Sequence, residues 1–311
     1  MSDVPASNDV HGYRVVGLHE LTFDAPGAIA RMYKLSPFVW REGGAYQLLL
    51  RVVNDDEDPS KKVARIHHGV SNDGVHFVIG GSPVIAPGPG EFAAYDSGGC
   101  EDPTVARVDG TYYVYYSGWN EHLKQGQLLF ATGPNIEHLT KRGIALASSE
   151  RVRNPKEATI VRVPDGSWRL FFEFAHEGRS KIGLAAASRV DGPWEVLEPP
   201  FAARDESWDS WHLSTGPILD ANLARPVMFY NGGTQRADWR IGWVAFDETY
   251  TRVVARGKEP IALPHPKRRD GDTDILFAAS AIELHDEAHL YYSVADQYCM
   301  RAALRLPGRR P

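Results

Sequence analysis

Hydrophobic positions along this 311-residue chain alternate with polar ones in short runs that end at glycine, proline or aspartate turns. Period-two alternation is the mark of strands with one buried face, and hardly any segment shows the spacing of an amphipathic helix. The runs come in pairs. "SPFVWREGGAYQLLLRV" (36–52), "DPTVARVDGTYYVYYSG" (102–118), "EATIVRVPDGSWRLFFEF" (157–174), "GPILDANLARPVMFYNGG" (216–233) and "FAASAIELHDEAHLYYSV" (277–294) follow one plan. Each is an apolar strand, a polar or glycine turn, then a second strand, most of them dense in aromatics. Aligning Tyr46, Tyr112, Trp168, Val227 and His289 spaces the units 66, 56, 59 and 62 residues apart. Four units continue into a third strand ("ARIHHGVS", "QLLFATG", "KIGLAAAS", "RIGWVAFD"), and three of those into a further turn and short strand. The fifth is shorter, with "MRAALRL" as its third strand.

Units repeating at this period bury their faces only against their neighbours. Four strands per unit predict an all-β fold, a five-bladed propeller with four-stranded antiparallel blades around a central channel. The five units fill residues 1–311 as a single domain. The unpaired alternating run "YRVVGLHELTF" (13–23) is expected to supply the outer strand of blade five and remove the open edge. A β-sandwich with irregular hairpins is the competing architecture.

Charge narrows the partners. The chain has 34 Lys and Arg against 40 Asp and Glu, a net charge of −6, and no long basic run, so nucleic acid is not an expected partner. No stretch approaches 18 apolar residues, and no spanning helix is expected. The first residues lack a basic region followed by an apolar one, and Cys100 and Cys299 are too few for a disulfide scaffold. A reduced, cytoplasmic location is the expectation. His67 and His68 are strand neighbours that face opposite ways, so they predict no metal site. No cofactor is expected, and the loops 54–62 and 264–272 read as solvated, the first near the channel.

"GGCEDPTVARVDGTYYVYYSG" sets two carboxylates, Glu101 and Asp102, before a proline and an ordinary hairpin. A strand has no need of an acidic pair at its entrance. This stretch resembles the acidic Asp-Pro motif of glycoside hydrolase family 130, the β-mannoside phosphorylases and β-mannosidases. "AYQLLLRV", "SNDGVHF", "RIGWVAFDETYTRVVARGKEPIALP" and "DTDILFAASAIELHDEAHLYYSVADQ" are similar to the same family, in order, over about residues 30–298. In that family, catalytic residues lie where the first strand of each blade enters the channel. Here those entrances carry Ser36-Pro37, Glu101-Asp102, Lys156-Glu157, His212-Leu213 and Asp274-Ile275.

The resemblance implies that Asp102 is the proton donor to the glycosidic oxygen, with a pKa expected to be raised by crowding against Glu101. A turn cap before Pro103 is the plainer alternative. Glu157 holds the same repeat position and is a catalytic or sugar-binding candidate, or a salt-bridge partner of Lys156. The family's phosphate-binding set departs here: Glu173, His212, Asn231 and Thr104 stand where cations or other family residues are typical. A carboxylate suits activation of water, so Glu173 is the candidate base of an inverting hydrolase acting on β-mannosides or similar small oligosaccharides. A strand residue can also face outward. Arg51, Glu101, Lys156, Trp211, His212, Asn231, Asp274 and Asp296 are the candidate substrate-binding residues, with Trp208 a second candidate for an aromatic wall. The alternatives are a phosphorylase with a rearranged phosphate site, drawn from Arg51, Arg153, Lys156 and Arg236, and a non-catalytic sugar-binding propeller.

Overall fold

A computed structural model describes residues 13–56, 61–88, 90–219, 225–285 and 287–306. Part of the 54–62 loop, residues 57–60, lies outside the described residues, as do residues 1–12. The fold is all-β. Unit one comprises four strands, namely β3 (Tyr33–Glu42), β4 (Ala45–Val53), β5 (Ala64–Ser71) and β6 (His76–Ile85). They are preceded by β1 (Arg14–Glu20) and β2 (Thr22–Asp24). Unit two is β7 (Gly99–Val108), β8 (Thr111–Asn120), β9 (Gln125–Gly133) and β10 (Thr140–Leu146). Unit three is β11 (Arg153–Arg162), β12 (Trp168–His176), β13 (Arg179–Ala187) and β14 (Glu195–Leu197). Neighbours within each of these units pair antiparallel in chain order.

Unit four is broken into short strands. β15 (His212–Ser214), β18 (Asn231–Gly233) and β19 (Trp239–Ile241) form one sheet. A second holds β16 (Ile218–Leu219), β17 (Val227–Met228), β20 (Val244–Phe246) and β21 (Val253–Arg256). Unit five is β22 (Leu276–Glu283), β23 (Glu287–Val294) and β24 (Tyr298–Arg305), with β1 as its fourth strand: Arg14 pairs with Arg305 and Glu20 with Met300. The 13–23 segment then does more than expected. β2 crosses to unit one and pairs parallel with β6, Phe23 opposite Phe77.

First strands of successive units meet or lie against the next unit. β3 contacts β7, β7 contacts β11, β13 contacts β15, β16 and β19 contact β22, and β22 returns to β3. Apolar clusters fill the spaces between units. Phe171, Ile182 and Leu184 of unit three pack on Met228, Tyr230 and Val244 of unit four. Tyr115 and Leu128 of unit two pack on Leu170 and Phe172 of unit three. Burying faces that no single unit can cover is what makes the order of units rigid. Among the described residues no helix is long and apolar enough to cross a membrane.

Candidate active site

The entrances of β3, β7 and β11 share a backbone device. Ser36, Asp102 and Glu157 have φ of 48°, 48° and 52°, the left-handed region that L-residues seldom occupy. Pairing slips at the same places: between Leu35 and Phe38, Glu101 and Thr104, and Lys156 and Thr159. Such bulges re-aim side chains, and strain of this kind gathers at functional sites. In a regular strand Glu101 and Asp102 would point to opposite faces. Here both reach one arginine, with Arg51 Nη2 donating to Glu101 Oε1 at 2.6 Å and Arg51 Nη1 to Asp102 Oδ1 at 3.2 Å.

Asp102 is buried, and its Oδ1 also accepts from Ser36 Oγ at 2.6 Å. The Glu157 backbone N–H donates to Ser117 Oγ at 3.2 Å, and its carboxyl lies in hydrogen-bond reach of Asp102. Beside them, Lys156 and Glu173 are register partners across β11 and β12, Nζ to Oε1 3.3 Å. Ser180 Oγ donates to the same Oε1 of the buried Glu173 at 2.7 Å.

The expected raised pKa of Asp102 is corrected. Burial pushes its carboxyl up, but Arg51, the Ser36 hydroxyl, Lys156 and Glu157 together outweigh burial and leave it lowered. Glu157 moves the other way. Burial and then repulsion from Asp102 raise it well above the ordinary carboxyl range, against an opposing pull from Lys156. Glu101 is raised as well, burial again outweighing Arg51.

The remaining candidates divide. His212 joins the cluster: the Ser180 N–H donates to its Nδ1 at 3.1 Å, its ring stacks on Trp239, and burial lowers its pKa. The neutral ring therefore carries its proton on Nε2. Trp211 lies alongside, one face covered by the Arg179 guanidinium at 3.8 Å. Asp296 accepts from Thr273 Oγ1 at 3.3 Å and lies within electrostatic reach of Arg51 and Asp102. Asp274 is drawn aside into an ion pair with Arg240 at 2.8 Å. Asn231 is corrected outright. It is fully buried, its amide donates to Thr215 O and Ala278 O and accepts from Ala278 N, and no donor is left for a sugar. Trp208 stacks on Tyr230 and bonds Lys258 O, an inter-strand packing role. Arg236 pairs with Asp238 in solvent and Arg153 is exposed, so neither joins the cluster.

Ser180 and Trp239 were not legible as site residues, and Ser36, read as one of the five entrances, was given no role. Ser36 has a signal in hindsight, because it holds the repeat position of Asp102 and Glu157. Among the described residues no group of three or more His, Cys, Asp or Glu is arranged to hold a metal ion.

Comparisons with known proteins give the family. The glycoside hydrolase family 130 model, described as beta-1,4-mannooligosaccharide phosphorylase, matches residues 39–305, and the chain belongs to this family. It is 22% identical over 261 residues to the 1,2-beta-oligomannan phosphorylase of Thermoanaerobacter sp. (strain X514), covering 82% of this chain and 84% of that protein. The beta-1,2-mannobiose phosphorylase of Listeria innocua, solved with beta-1,2-mannobiose, has the same fold. Its TM-score is 0.74 at 20% identity, covering 96% of this chain and 92% of that one. A further structure is described as "The GH130 family of mannoside phosphorylases contains glycoside hydrolases that target beta-1,2 mannosidic linkages in Candida mannan". Its TM-score is 0.79 at 21% identity, covering 100% of this chain and 98% of that chain.

Proposed function

We propose that the chain cleaves β-mannosidic bonds of small oligosaccharides with inversion, at the Asp102–Glu157–Glu173 cluster. Residues 1–311 act as one five-bladed propeller, with β1 as the outer strand that closes it and the cluster at the mouth of its channel. The names of the relatives support phosphate as the mannosyl acceptor better than water, which reverses the order expected from the sequence.

Geometry supplies the counter-argument, and one observation carries it. Lys156 is committed to Glu173 at 3.3 Å. Four carboxyls (Glu101, Asp102, Glu157, Glu173) surround two cations, Arg51 and Lys156, so the set stays negative even with one proton on Glu157. Each uncompensated charge pair at about 4 Å costs on the order of 4 kcal/mol at an effective dielectric of about 20, which a phosphate dianion would meet repeatedly. Water meets no such barrier, and Glu173 can take its proton. Hydrolysis is the reading this geometry supports best, and phosphorolysis the one the relatives' names support.

β-1,2- and β-1,4-mannobiose, each with and without phosphate, separate the two. Mannose release at a rate indifferent to phosphate is expected. Phosphate-dependent formation of mannose 1-phosphate establishes the phosphorylase reading instead.

A further inference from the structure

A strand irregularity in unit one opens a second cavity, apart from the carboxyl cluster. His67 lies opposite Pro83 and Gly69 opposite Ile79, so β6 takes four steps where β5 takes two. The stretch "IGGSP" (79–83) absorbs the excess as a bulge. That bulge brings the Gly80 carbonyl to His67 Nδ1, 3.0 Å away. Beside it lies a cavity of about 420 Å³, within the roughly 300–1,000 Å³ of small-molecule sites. Ile29, Met32 and Val52 form its apolar wall, and Lys61, Arg65 and His67 its polar side. Unbroken register sets Val52 opposite Arg65 and Arg51 opposite Ile66. Neighbours along a strand face opposite ways, so the cavity and the Arg51 side chain lie on opposite faces of the unit-one sheet.

Two groups in this cavity have bonding capacity left over. The Arg65 side chain donates through Nη1 to Val63 O at 3.3 Å, and among the described residues no carboxylate pairs with it. His67 is only 4% exposed. A carbonyl can only accept, so Nδ1 carries the ring proton and Nε2 is a bare acceptor. Among the described residues nothing bonds that nitrogen. Burial lowers the His67 pKa, and the nearby Arg65 lowers it further, so the ring is neutral. A guanidinium beside a neutral nitrogen acceptor selects for more than charge. The planar fork matches a carboxylate through two parallel N–H donors. The imidazole nitrogen asks for a hydroxyl and has nothing to offer a bare anion. The aliphatic wall suits the C–H face of a carbon chain.

We propose that this cavity binds a small hydroxycarboxylate of the sugar-acid class, its carboxylate on Arg65 and a hydroxyl donating to His67 Nε2. The site stands apart from the mannoside-cleaving cluster and does not depend on what that cluster does.

Titration calorimetry of the full-length chain with D-gluconate, D-glucitol, acetate and sulfate tests this. Glucitol keeps the hydroxyls without the charge, whereas acetate and sulfate keep charge without hydroxyls. Gluconate is expected to bind at least about tenfold more tightly than each of the others, the scale of one hydrogen bond to a charged group. Arg65→Gln should weaken gluconate by a similar factor. Arg65 lies outside the cluster, so that loss distinguishes the cavity from gluconate bound at the candidate active site. A second readout needs no binding variant. The His67 Nε2 resonance in 15N NMR, assigned with His67→Gln, should shift on adding gluconate and stay unmoved in acetate. Equal affinity for gluconate and glucitol, or for gluconate and sulfate, overturns the proposal. So does an unmoved Nε2, a folded Arg65→Gln of undiminished affinity, or no binding at millimolar gluconate. Should Arg65→Gln fail to fold, the four probes and the ring resonance of the wild type still decide it.

Discussion

Glu173 is the residue on which water and phosphate divide. It is buried on β12, bonded by Ser180 and paired with Lys156, so it faces the cluster and not solvent. If it takes the proton of water, Glu173→Gln keeps the shape and hydrogen bonds but cannot accept the proton. Hydrolysis is then expected to fall by roughly 10²–10⁴, the scale of general base catalysis, with the melting temperature little changed. Azide, a nucleophile that needs no base, should restore turnover in this variant. An unimpaired Glu173→Gln moves the base elsewhere. The sequence carried much of this cluster. Arg51, Glu101, Asp102, Lys156, Glu157, Glu173 and His212 do come together, and the repeat places several of them at equivalent strand entrances. What it did not carry is the pairing among them. The order of Asp102 and Glu157 on the proton scale depends on Ser36 and Arg51, which arrive from another unit. Asn231 shows the opposite failure: a polar residue at a site position has every amide donor drawn into the backbone of units four and five.

At the scale of elements, period two located the strands but concealed the bulges. Alternation says that Glu101 and Asp102 face opposite ways, and only the left-handed Asp102 brings both to Arg51. Unit four departs further. The entrance His212-Leu213 and the strand read from 216 are separate strands, β15 and β16, with the chain breaking between them at Thr215-Gly216-Pro217. Proline removes a ladder donor there, and the Phe229 N–H bonds Pro217 O instead. Gly216 lies so close to the neighbouring backbone that a Cβ would stand 2.0 Å from Phe229 O. No sequence period encodes that approach. Gly216→Ala should therefore cost about 3 kcal/mol or more, because the clash is with backbone and cannot be relieved by a side-chain rotamer. Urea unfolding of the variant measures it, and a loss under about 1 kcal/mol would show that the two strands can separate.

At the scale of the whole molecule, units one and five are joined by several contacts, one of which holds Ser36. β1 pairs with β24 and β2 with β6, so one short segment ties both units. Ser280 accepts from Val39 N and donates to Pro37 O, next to Ser36. The turn Ser71–Val75 adds a third tie: Arg301 donates to Asp73 O at 2.9 Å and Tyr291 to Gly74 O at 3.1 Å. That turn is shaped by the Asp73 carboxylate, which accepts from the backbone N–H groups of Val75 and His76, the Ser71 hydroxyl and the His76 ring. The backbone bond from His76, then its side chain, hold this carboxyl far below the ordinary range despite opposing desolvation. A depressed folded pKa contributes stability above the unfolded value, near pH 3.9, and loses it as pH falls from there toward the folded value. Asp73→Asn keeps one acceptor but removes the charge. The variant should melt a few degrees below wild type at pH 7 and pH 5, with the gap closing below about pH 4 as the wild type approaches protonation. Thermal melts across that range check it, and a gap that stays constant down to the lowest pH would mean that shape alone, not charge, maintains the turn. Because Ser293 Oγ holds Ser36 N across the same junction, loosening it should also lower turnover at temperatures where the fold is still intact.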